Sequence, residues 1–281
     1  MSEYSGIVAD LPDHVYHARP ELSSTEARLL LDSPAKYRWG KDNPPFIEPS
    51  TKFDIGTAVH AKVLGRGAQT VVLDFPDYRT KEARAAREDA RADGLTPILA
   101  AEYESINAMS ESVLAHPAAR QLFGQPADAE VSVFAEDPFT GIQVRARFDF
   151  LPTDFRLGEP SRIAVDLKTT RDASPRGFAR SIADYQYDVQ RTWYLDALRW
   201  TTGEIAELVF VAVEKTPPYL VGVYQLPSVW TQMGDAKAAR ARQVYRECSE
   251  SGIWPGYASD VQLLSPPNWL TYQFEEDYPN D

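Results

Sequence analysis

The sequence predicts an α/β fold with a mixed central sheet flanked by helices and a helical N-terminal region. Three observations carry this prediction. Apolar residues recur with helical spacing before residue 126, they alternate with period two between 130 and 168, and helical and strand patterns follow each other after 175. We expect one domain over 1–281, with a mainly helical part at 1–125, a strand-rich core at 126–225 and a C-terminal helix and tail at 226–281.

The N-terminal part opens with helices whose first residues are recognisable. Ser23 and Ser24 precede the apolar run TEARLLLD as a serine cap. Ser33-Pro34 starts a second helix, because proline is tolerated in a first turn, and Asn43-Pro44-Pro45 ends it. The patterns that follow predict a helix at 52–64, a short strand at 70–75, an exposed helix or mobile arm at 79–94, and a helix at 97–115.

The core begins after Pro126 with a predicted hairpin. Strands at 130–135 and 142–150 flank the turn Asp137-Pro138-Phe139-Thr140-Gly141, and a third strand follows at 163–168. The remaining predicted elements are helices at 175–184 and 186–200, strands at 206–214 and 219–225, a long helix at 228–250 and an irregular tail.

Composition excludes several classes of protein. The chain has 281 residues, 43% hydrophobic and 25% charged, as in an ordinary globular protein. No apolar run reaches the roughly 18 residues of a membrane-spanning helix, and the N-terminus does not resemble a signal peptide, so we expect a cytoplasmic protein without membrane partners. The single cysteine, Cys248, forbids an internal disulfide and a four-cysteine metal or iron–sulfur site. The net charge of −12 argues against nonspecific coating of DNA, but leaves room for a local basic groove.

The third predicted strand carries the most informative residues. In Ile163-Ala164-Val165-Asp166-Leu167-Lys168, strand alternation puts Asp166 and Lys168 on one face. The preceding strand places Arg145, Arg147 and Asp149 together in the same way. If the two polar faces coincide, two carboxylates can hold Mg²⁺ or Mn²⁺, while the lysine stabilises charge during phosphodiester hydrolysis. The alternative is a structural Asp–Lys pair.

The surrounding residues resemble the nuclease core of the PD-(D/E)XK superfamily, in its RecB-like branch. Asp149 followed by Asp166-Leu167-Lys168 and Thr169-Thr170 matches the core motif, and Glu130 matches an upstream acidic position. His60, in Gly56-Thr57-Ala58-Val59-His60, matches the histidine of an N-terminal helix. Gln190 and Tyr194 resemble the Q-x-x-x-Y of the helix after the core, where an i, i+4 pair shares one face.

A narrower resemblance, to the nuclease domains of the exodeoxyribonuclease VIII (RecE-type) group, covers most of the chain. It rests on short segments in the same order, namely Tyr16-His17, Leu22-Ser23-Ser24-Thr25, Ser33-Pro34-Ala35-Lys36-Tyr37, Asp172-Ala173-Ser174-Pro175, Phe178-Ala179 and Trp254-Pro255-Gly256-Tyr257. Such enzymes, often phage-encoded, resect one strand of duplex DNA from an end and work with a single-strand annealing protein in recombination and repair. Many other RecB-like nucleases carry an iron–sulfur cluster on four cysteines, and this chain has one cysteine.

The resemblance implies a restriction-endonuclease-like fold with one or two Mg²⁺ or Mn²⁺ ions at one edge of the sheet. Asp149, Asp166, His60 and the backbone carbonyl of Leu167 are the implied metal ligands. Lys168 would position the attacking water, with Gln190 and Tyr194 orienting Lys168 or the DNA backbone and Glu130 as a further catalytic acid. The implied partners are double-stranded DNA ends, an annealing protein and further copies of the chain in a ring, inside a bacterial host cell.

An acidic protein that binds DNA must concentrate its basic residues along the DNA path. The predicted DNA-binding residues are Arg145 and Arg147 on the active-site face, Arg191 on the following helix, and Arg84, Arg87 and Arg91 in the segment 79–91. The alternatives are structural ion pairs for Arg145 and Arg147 and an idle, solvated face for 79–91.

Other interpretations of the site residues also stay open. His60 adjoins the stripe Ile55, Val59 and Val63 and would then be a core histidine, while a slip of strand register would replace Glu130 by Asp128 or Glu136. At the level of function, the same residues would serve an endonuclease or a 3′-directed exonuclease. A decayed, non-catalytic DNA-binding module is the third possibility.

Overall fold

The computed structural model describes residues 4–43, 51–67, 69–154 and 160–278. Its centre is a six-stranded mixed sheet in the order β1-β4-β5-β6-β7-β8, accompanied by a small parallel pair, β2-β3. The strands are β1 (Gly6–Val8), β2 (Thr70–Leu73), β3 (Thr96–Leu99), β4 (Ala127–Glu136), β5 (Gln143–Pro152), β6 (Arg162–Thr170), β7 (Ala206–Glu214) and β8 (Val221–Gln225). The sequence-predicted fold class, a mixed sheet flanked by helices, is confirmed.

Helices cover both faces of this sheet. They are α1 (Asp13–Ala18), α2 (Ser24–Asp32), α3 (Pro34–Asp42), α4 (Thr51–Leu64), α5 (Lys81–Ala92), α6 (Ala100–Ala115), α7 (Pro117–Phe123), α8 (Pro175–Tyr185), α9 (Tyr187–Thr202), α10 (Ser228–Ser251) and α11 (Asn268–Asp277). On one face, α9 lies against β4, β5 and β7, with α2 and α10 packed outside it. On the other face, α4, α6 and α7 contact β5, β6 and β7. No helix among these is long and apolar enough to cross a bilayer.

Strand pairing fixes where the polar residues meet. β4, β5 and β6 form an antiparallel meander, and the α8–α9 connection then returns the chain so that β7 runs parallel to β6. Because the sheet is covered on both faces, the inner strands β4 to β7 bury side chains on both sides. Val144, Ala146 and Phe148 pack beneath α9, whereas Val165, Leu167 and Val211 pack beneath α4 and α6.

The first long helices begin at the predicted serines. The Ser23 hydroxyl accepts from the Glu26 N–H at 3.3 Å and the Glu26 carboxylate accepts from the Ser23 N–H at 2.8 Å, a reciprocal capping box. Ser33 caps α3 with Pro34 in its first turn. The helix ends at Asp42, while the predicted stop residues Pro44 and Pro45 lie outside the described residues.

The structure corrects several predicted elements. The helix expected over 97–115 begins only at Ala100, because 96–99 form β3 beside β2. Of the two predictions for segment 79–94, an exposed helix or a mobile arm, the helix is confirmed as α5. The tail predicted to be irregular contains α11, and β1, α1 and α7 are additional short elements. The predicted core residues Asp149, Asp166 and Lys168 lie on β5 and β6, the two central strands, and not at an edge of the sheet.

Candidate active site

The site forms where the two central strands separate. Within the described residues, β5 and β6 pair at Phe150–Val165, a register that puts Asp149 opposite Asp166. Beyond this point β5 pairs instead with the segment before α2, through Leu22 and Val144. The Leu167 N–H, which faces the gap, donates to the Asp149 carboxylate at 2.8 Å. The divergence therefore creates a cleft in the sheet and supplies a backbone donor that orients Asp149.

Asp166 and Lys168 lie in this cleft as a buried ion pair. The Lys168 Nζ is 2.5 Å from Asp166 Oδ1, and the Gln190 side-chain amide, on α9, donates to Asp166 Oδ2. The Tyr187 ring lies under the ammonium, 4.8 Å from Nζ to the ring centroid. Asp166 is 1% exposed, so both of its carboxylate oxygens are held by protein groups in a region that water reaches poorly.

Burial and nearby charges alter the protonation of this pair. Desolvation, reinforced by the Asp149 charge, raises the pKa of Asp166 to about 6, although Lys168 acts in the opposite direction. Burial alone would lower the pKa of Lys168, but the carboxylates of Asp166 and Asp149 outweigh it and raise that pKa. Lys168 is therefore a permanently charged donor at neutral pH.

A second group of acidic and imidazole side chains surrounds Asp149. His60, Glu130 and Asp149 each offer a ligand atom, and these atoms lie within 4.8 Å of one another. His60 Nδ1 is 3.5 Å from Asp149 Oδ2, and the His60 side chain is 24% exposed. Its ring therefore points from α4 to Asp149, while Val59 beside it occupies the core.

Glu130 reaches this group through an unusual backbone conformation. Its φ of 55° is in the left-handed region, which a glutamate rarely adopts and which costs of order 1–3 kcal/mol. The β4–β5 pairing continues in one register on both sides, with Glu130 opposite Asp149 where the pairs are interrupted. At the same place alternation fails, because Phe148 packs beneath α9 and Phe150 packs in the cluster beneath α4 and α6.

The three side chains suit a divalent cation. Burial and the adjacent Asp149 charge raise the pKa of Glu130 to about 7, despite the opposing effects of Arg147 and His60. The carboxylates of Glu130 and Asp149 lie close enough to repel each other, and the His60 imidazole lies beside them. Together they form an oxygen- and nitrogen-rich donor set typical of Mg²⁺ or Mn²⁺ sites. The residues present therefore fit the implied metal, and Asp166 lies across the strand gap from them.

The remaining predicted helix residues flank the cleft. Gln190 holds Asp166, and Tyr194, one turn later on α9, is packed against Phe148 at 5.2 Å between ring centroids. Burial raises the pKa of Tyr194 well above its ordinary value, so its hydroxyl stays protonated. The structure thus brings the predicted residues close together, namely His60, Glu130, Asp149, Asp166, Lys168 and Gln190, and their roles stay predictions.

Arg145 and Arg147 both contact the N-terminal segment, and Arg147 also contacts Glu130 of the site. Arg145 is buried, lies 3.4 Å from Glu26 and donates to the carbonyls of Arg19 and Glu21. Arg147 lies 3.1 Å from Asp13 and 3.4 Å from Glu130. This placement favours the structural interpretation of these two arginines, with Arg147 steadying Glu130.

The other predicted DNA-binding arginines differ in their internal contacts and in their exposure to solvent. Arg191 makes a two-pronged ion pair with Glu207 at 2.9 and 3.0 Å. Arg91 is paired with the buried carboxylate of Asp54 at 2.8 Å, and Arg87 lies over the Tyr78 ring at 5.0 Å. Arg84 is exposed on α5 and donates to the backbone carbonyls of Thr80 and Arg79. Arg84 is thus the member of this set best placed to meet a solvent-borne ligand.

Sequence reasoning missed several residues near the cleft. Arg28 on α2 interacts electrostatically with Asp166 and Tyr187. Arg171, Arg176 and Arg180, around α8, form an exposed basic group that follows β6. The i, i+4 spacing of Arg176 and Arg180 was a usable signal for a basic helix face, whereas no local pattern marks Arg28, whose position depends on how α2 packs against α9.

Comparisons with known proteins identify a family and a shared fold. The model of a PDDEXK-like domain of unknown function, DUF3799, matches residues 23–266. A solved structure from Eubacterium rectale, named as a putative exonuclease, shares the fold with a TM-score of 0.62 and 13% identity, covering 92% of this chain and 96% of that chain. A second structure, SSO0001, has 14% identity, a TM-score of 0.27, and coverages of 68% and 86%.

No curated protein matches the sequence. The family model nevertheless spans the whole site, from the helix cap at Ser23 through α10, and the Eubacterium rectale protein has the same fold over nearly its full length. The family model identifies a PDDEXK-like domain, and the Eubacterium rectale structure shows a shared fold. The chain is a member of the PDDEXK-like family DUF3799.

Proposed function

We propose that this protein is a Mg²⁺- or Mn²⁺-dependent exonuclease that resects double-stranded DNA from its ends for recombination by single-strand annealing. The observation that carries the proposal is the meeting of His60, Glu130 and Asp149 beside the buried pair of Asp166 and Lys168. The family and the likeness to the Eubacterium rectale protein support nuclease chemistry, and the RecE-type sequence resemblance supports the exonuclease activity.

The metal would be held by His60, Glu130 and Asp149, with Asp166 and the Leu167 carbonyl as the further ligands that the resemblance implies. When bound, such an ion polarises the phosphodiester and lowers the pKa of a bound water. The chain's own residues prepare the cleft for a phosphate. Leu167 and Gln190 fix the two aspartates through hydrogen bonds. The buried Lys168 ammonium keeps its proton and donates to the attacking water or to the developing negative charge, where low solvent access strengthens the interaction.

The first test separates the exonuclease from its alternatives. Purified protein with Mg²⁺ should degrade linear duplex DNA and leave covalently closed circular DNA intact, and a chelator should abolish the activity until Mg²⁺ or Mn²⁺ is restored. Cutting of the closed circle would support an endonuclease instead, and oligonucleotides labelled at either end reveal the polarity. If folded protein supplied with metal cleaves neither linear nor circular DNA, the result would support the non-catalytic DNA-binding module.

The second test concerns Lys168. We expect Lys168→Ala to reduce the cleavage rate by about 10²–10⁴-fold, the range typical of losing a positioned proton-transfer or charge-stabilising group. The fold should survive, because Asp166 already has a pKa near 6 and can take up a proton when its partner is removed. Single-turnover kinetics and a Mn²⁺ titration check both statements. A variant that cleaves at the wild-type rate would contradict the role of Lys168.

The partners belong to the same proposal. RecE-type resemblance implies that the enzyme acts in the bacterial cytoplasm, as copies of one chain in a ring, with a single-strand annealing protein. Light scattering after size exclusion measures whether copies of the chain associate into a ring. Co-purification with a single-strand annealing protein encoded by a neighbouring gene tests that partnership.

A further inference from the structure

Three aromatic rings form a column from the core of the sheet to the surface beside the active site. Phe210 on β7 is fully buried, and Tyr187 stacks on it with centroids 5.7 Å apart and an interplanar angle of 23°. Tyr185 stacks on Tyr187 at 5.6 Å and 25°. Tyr185 is 60% exposed, so the column ends in solvent.

The column adjoins the residues of the proposed reaction. The ammonium of Lys168 lies over the middle ring, Tyr187, at 4.8 Å. Tyr185 and Lys168 therefore both contact the Tyr187 ring, so a group that stacks on Tyr185 lies near the residues of the proposed reaction. Among the described ring contacts, Tyr185 has Tyr187 as its partner. Its outer face is available to one more flat ring.

The turn that presents Tyr185 contains a residue in an unfavourable backbone conformation. Gln186, between α8 and α9, has a φ of 51° in the left-handed region, a conformation that is unfavourable for glutamine. Arg28 fixes the turn from α2 by donating to the Tyr185 carbonyl, while its other bonds go to the Ser24 carbonyl and the Thr25 hydroxyl. These three hydrogen-bond acceptors are neutral, and the positive charge of Arg28 interacts through space with the carboxylates of Asp166 and Asp188 and with Tyr187 of the column. A strained turn braced by an arginine is typical of functional sites.

We propose that the outer face of Tyr185 is a stacking platform for a nucleobase of the bound strand next to the scissile phosphate. This inference rests on the proposed function and specifies how the substrate end is held. Base–aromatic stacking tolerates any sequence because every base has a flat face, which suits an enzyme that must advance through all sequences. The adjacent charge of Arg28 favours a nucleotide, which carries a phosphate, over a neutral ring.

The test uses a duplex with 2-aminopurine at the terminal position and phosphorothioate linkages that resist hydrolysis, in Mg²⁺. Stacking on an aromatic ring quenches this base, so wild-type protein should reduce its fluorescence beyond the level in free duplex. Tyr185→Ala should abolish that additional quenching and weaken end binding by roughly tenfold, as expected for one lost stacked base. Tyr185→Phe keeps the ring and should behave like wild type.

A matched control is Phe139→Ala, because Phe139 is 83% exposed at the tip of the β4–β5 hairpin, beyond the end of β5 remote from Asp149. That variant should retain the quenching and the affinity. Equal quenching and affinity in Tyr185→Ala and wild type would overturn the platform, even if wild type degrades linear DNA normally. Wild-type protein that neither binds nor cleaves DNA would instead refute the proposed function, and the platform with it.

Discussion

Glu130 shows how a single residue couples protonation to metal binding. Its ordinary pKa of 4.5 is raised to about 7 by burial and by Asp149, so near neutral pH a proton competes with any cation for this carboxylate. We expect the affinity for Mn²⁺ to rise as the pH increases from 5.5 to 8, with proton release on binding. Calorimetric titrations in two buffers of different ionisation enthalpy measure both quantities. An affinity independent of pH over this range would contradict Glu130 as a ligand.

The same shift predicts how metal-free protein responds to pH. Below its unfolded-state pKa, Glu130 is protonated in both states, whereas between about pH 4.5 and 7 the folded state retains a proton that the unfolded chain has released. Stability should therefore fall as the pH rises through this window, by at most about 3 kcal/mol for this group. Mn²⁺ should restore stability most strongly above pH 7. Glu130→Gln removes this titration and is the control for both experiments.

The backbone of Glu130 supports a separate prediction. Because glycine adopts a positive φ without strain, Glu130→Gly should keep or increase the stability of metal-free protein, by up to about 1 kcal/mol. The same change removes a donor of the proposed site and should lower Mn²⁺ affinity and nuclease activity. Urea denaturation measures the predicted effect on stability, and Mn²⁺ titration measures the predicted loss of metal affinity. A large loss of stability would show that the carboxylate is needed for folding, and not for the metal.

At the residue scale, the sequence was most informative where local spacing carries the chemistry. Asp166 and Lys168 share a strand face by alternation, so their meeting was predictable from spacing, whereas the place of Gln190 beside them was implied by the resemblance. The position of Glu130 beside His60 depends on a left-handed backbone and an interruption of β-sheet alternation, which no spacing rule describes. Arg145 and Arg147 share one strand face, as predicted, but they form ion pairs with Glu26 and Asp13 of the N-terminal part of the chain.

At the scale of elements, α5 tests whether the basic segment contacts DNA. Arg91 is unsuited to charge reversal, since glutamate there would lie against the carboxylate of Asp54, which is 6% exposed. The sharper variant is Arg79→Glu with Arg84→Glu, which alters exposed side chains only. We expect weaker DNA binding and shorter processive products, with less effect on cleavage of a saturating short duplex. Unchanged affinity and product length would mean that α5 does not contact DNA.

The boundaries of elements were predictable where side chains enforce them. Ser23 and Ser33 set the starts of α2 and α3 through hydrogen bonds to the next turn, and both starts are confirmed. The strand β3 was assigned to a helix, since its four residues TPIL match a buried helical segment equally well until β2 lies beside them. Short apolar segments take their structure from partners distant in sequence, and such partners are invisible to a local pattern.

Across the whole molecule, charge is arranged so that few basic groups remain for DNA. The net charge is −12, and Arg145, Arg147, Arg162, Arg191 and Arg242 are each engaged in internal ion pairs. Exposed arginines remain around α8, where Arg176 and Arg180 lie one turn apart, following the strand of Lys168 and preceding Tyr185. We infer that DNA approaches the cleft along α8, which lies on the same side as the aromatic column.

This distribution predicts a shallow dependence of DNA affinity on salt. Each phosphate contact contributes about −0.9 to the slope of log Kobs against log salt concentration, so three to five contacts give a slope of about −2.7 to −4.5. Arg176→Glu with Arg180→Glu should reduce the steepness by about two, because two contacts are lost. Arg240→Glu with Arg246→Glu, on the far helix α10, is the matched control and should leave the slope unchanged. Fluorescence anisotropy with a hydrolysis-resistant duplex at fixed Mg²⁺ measures all three proteins. A wild-type slope near −8 would require an extended basic surface and would exclude the local groove, whereas equal slopes in both double variants would move the DNA path away from α8.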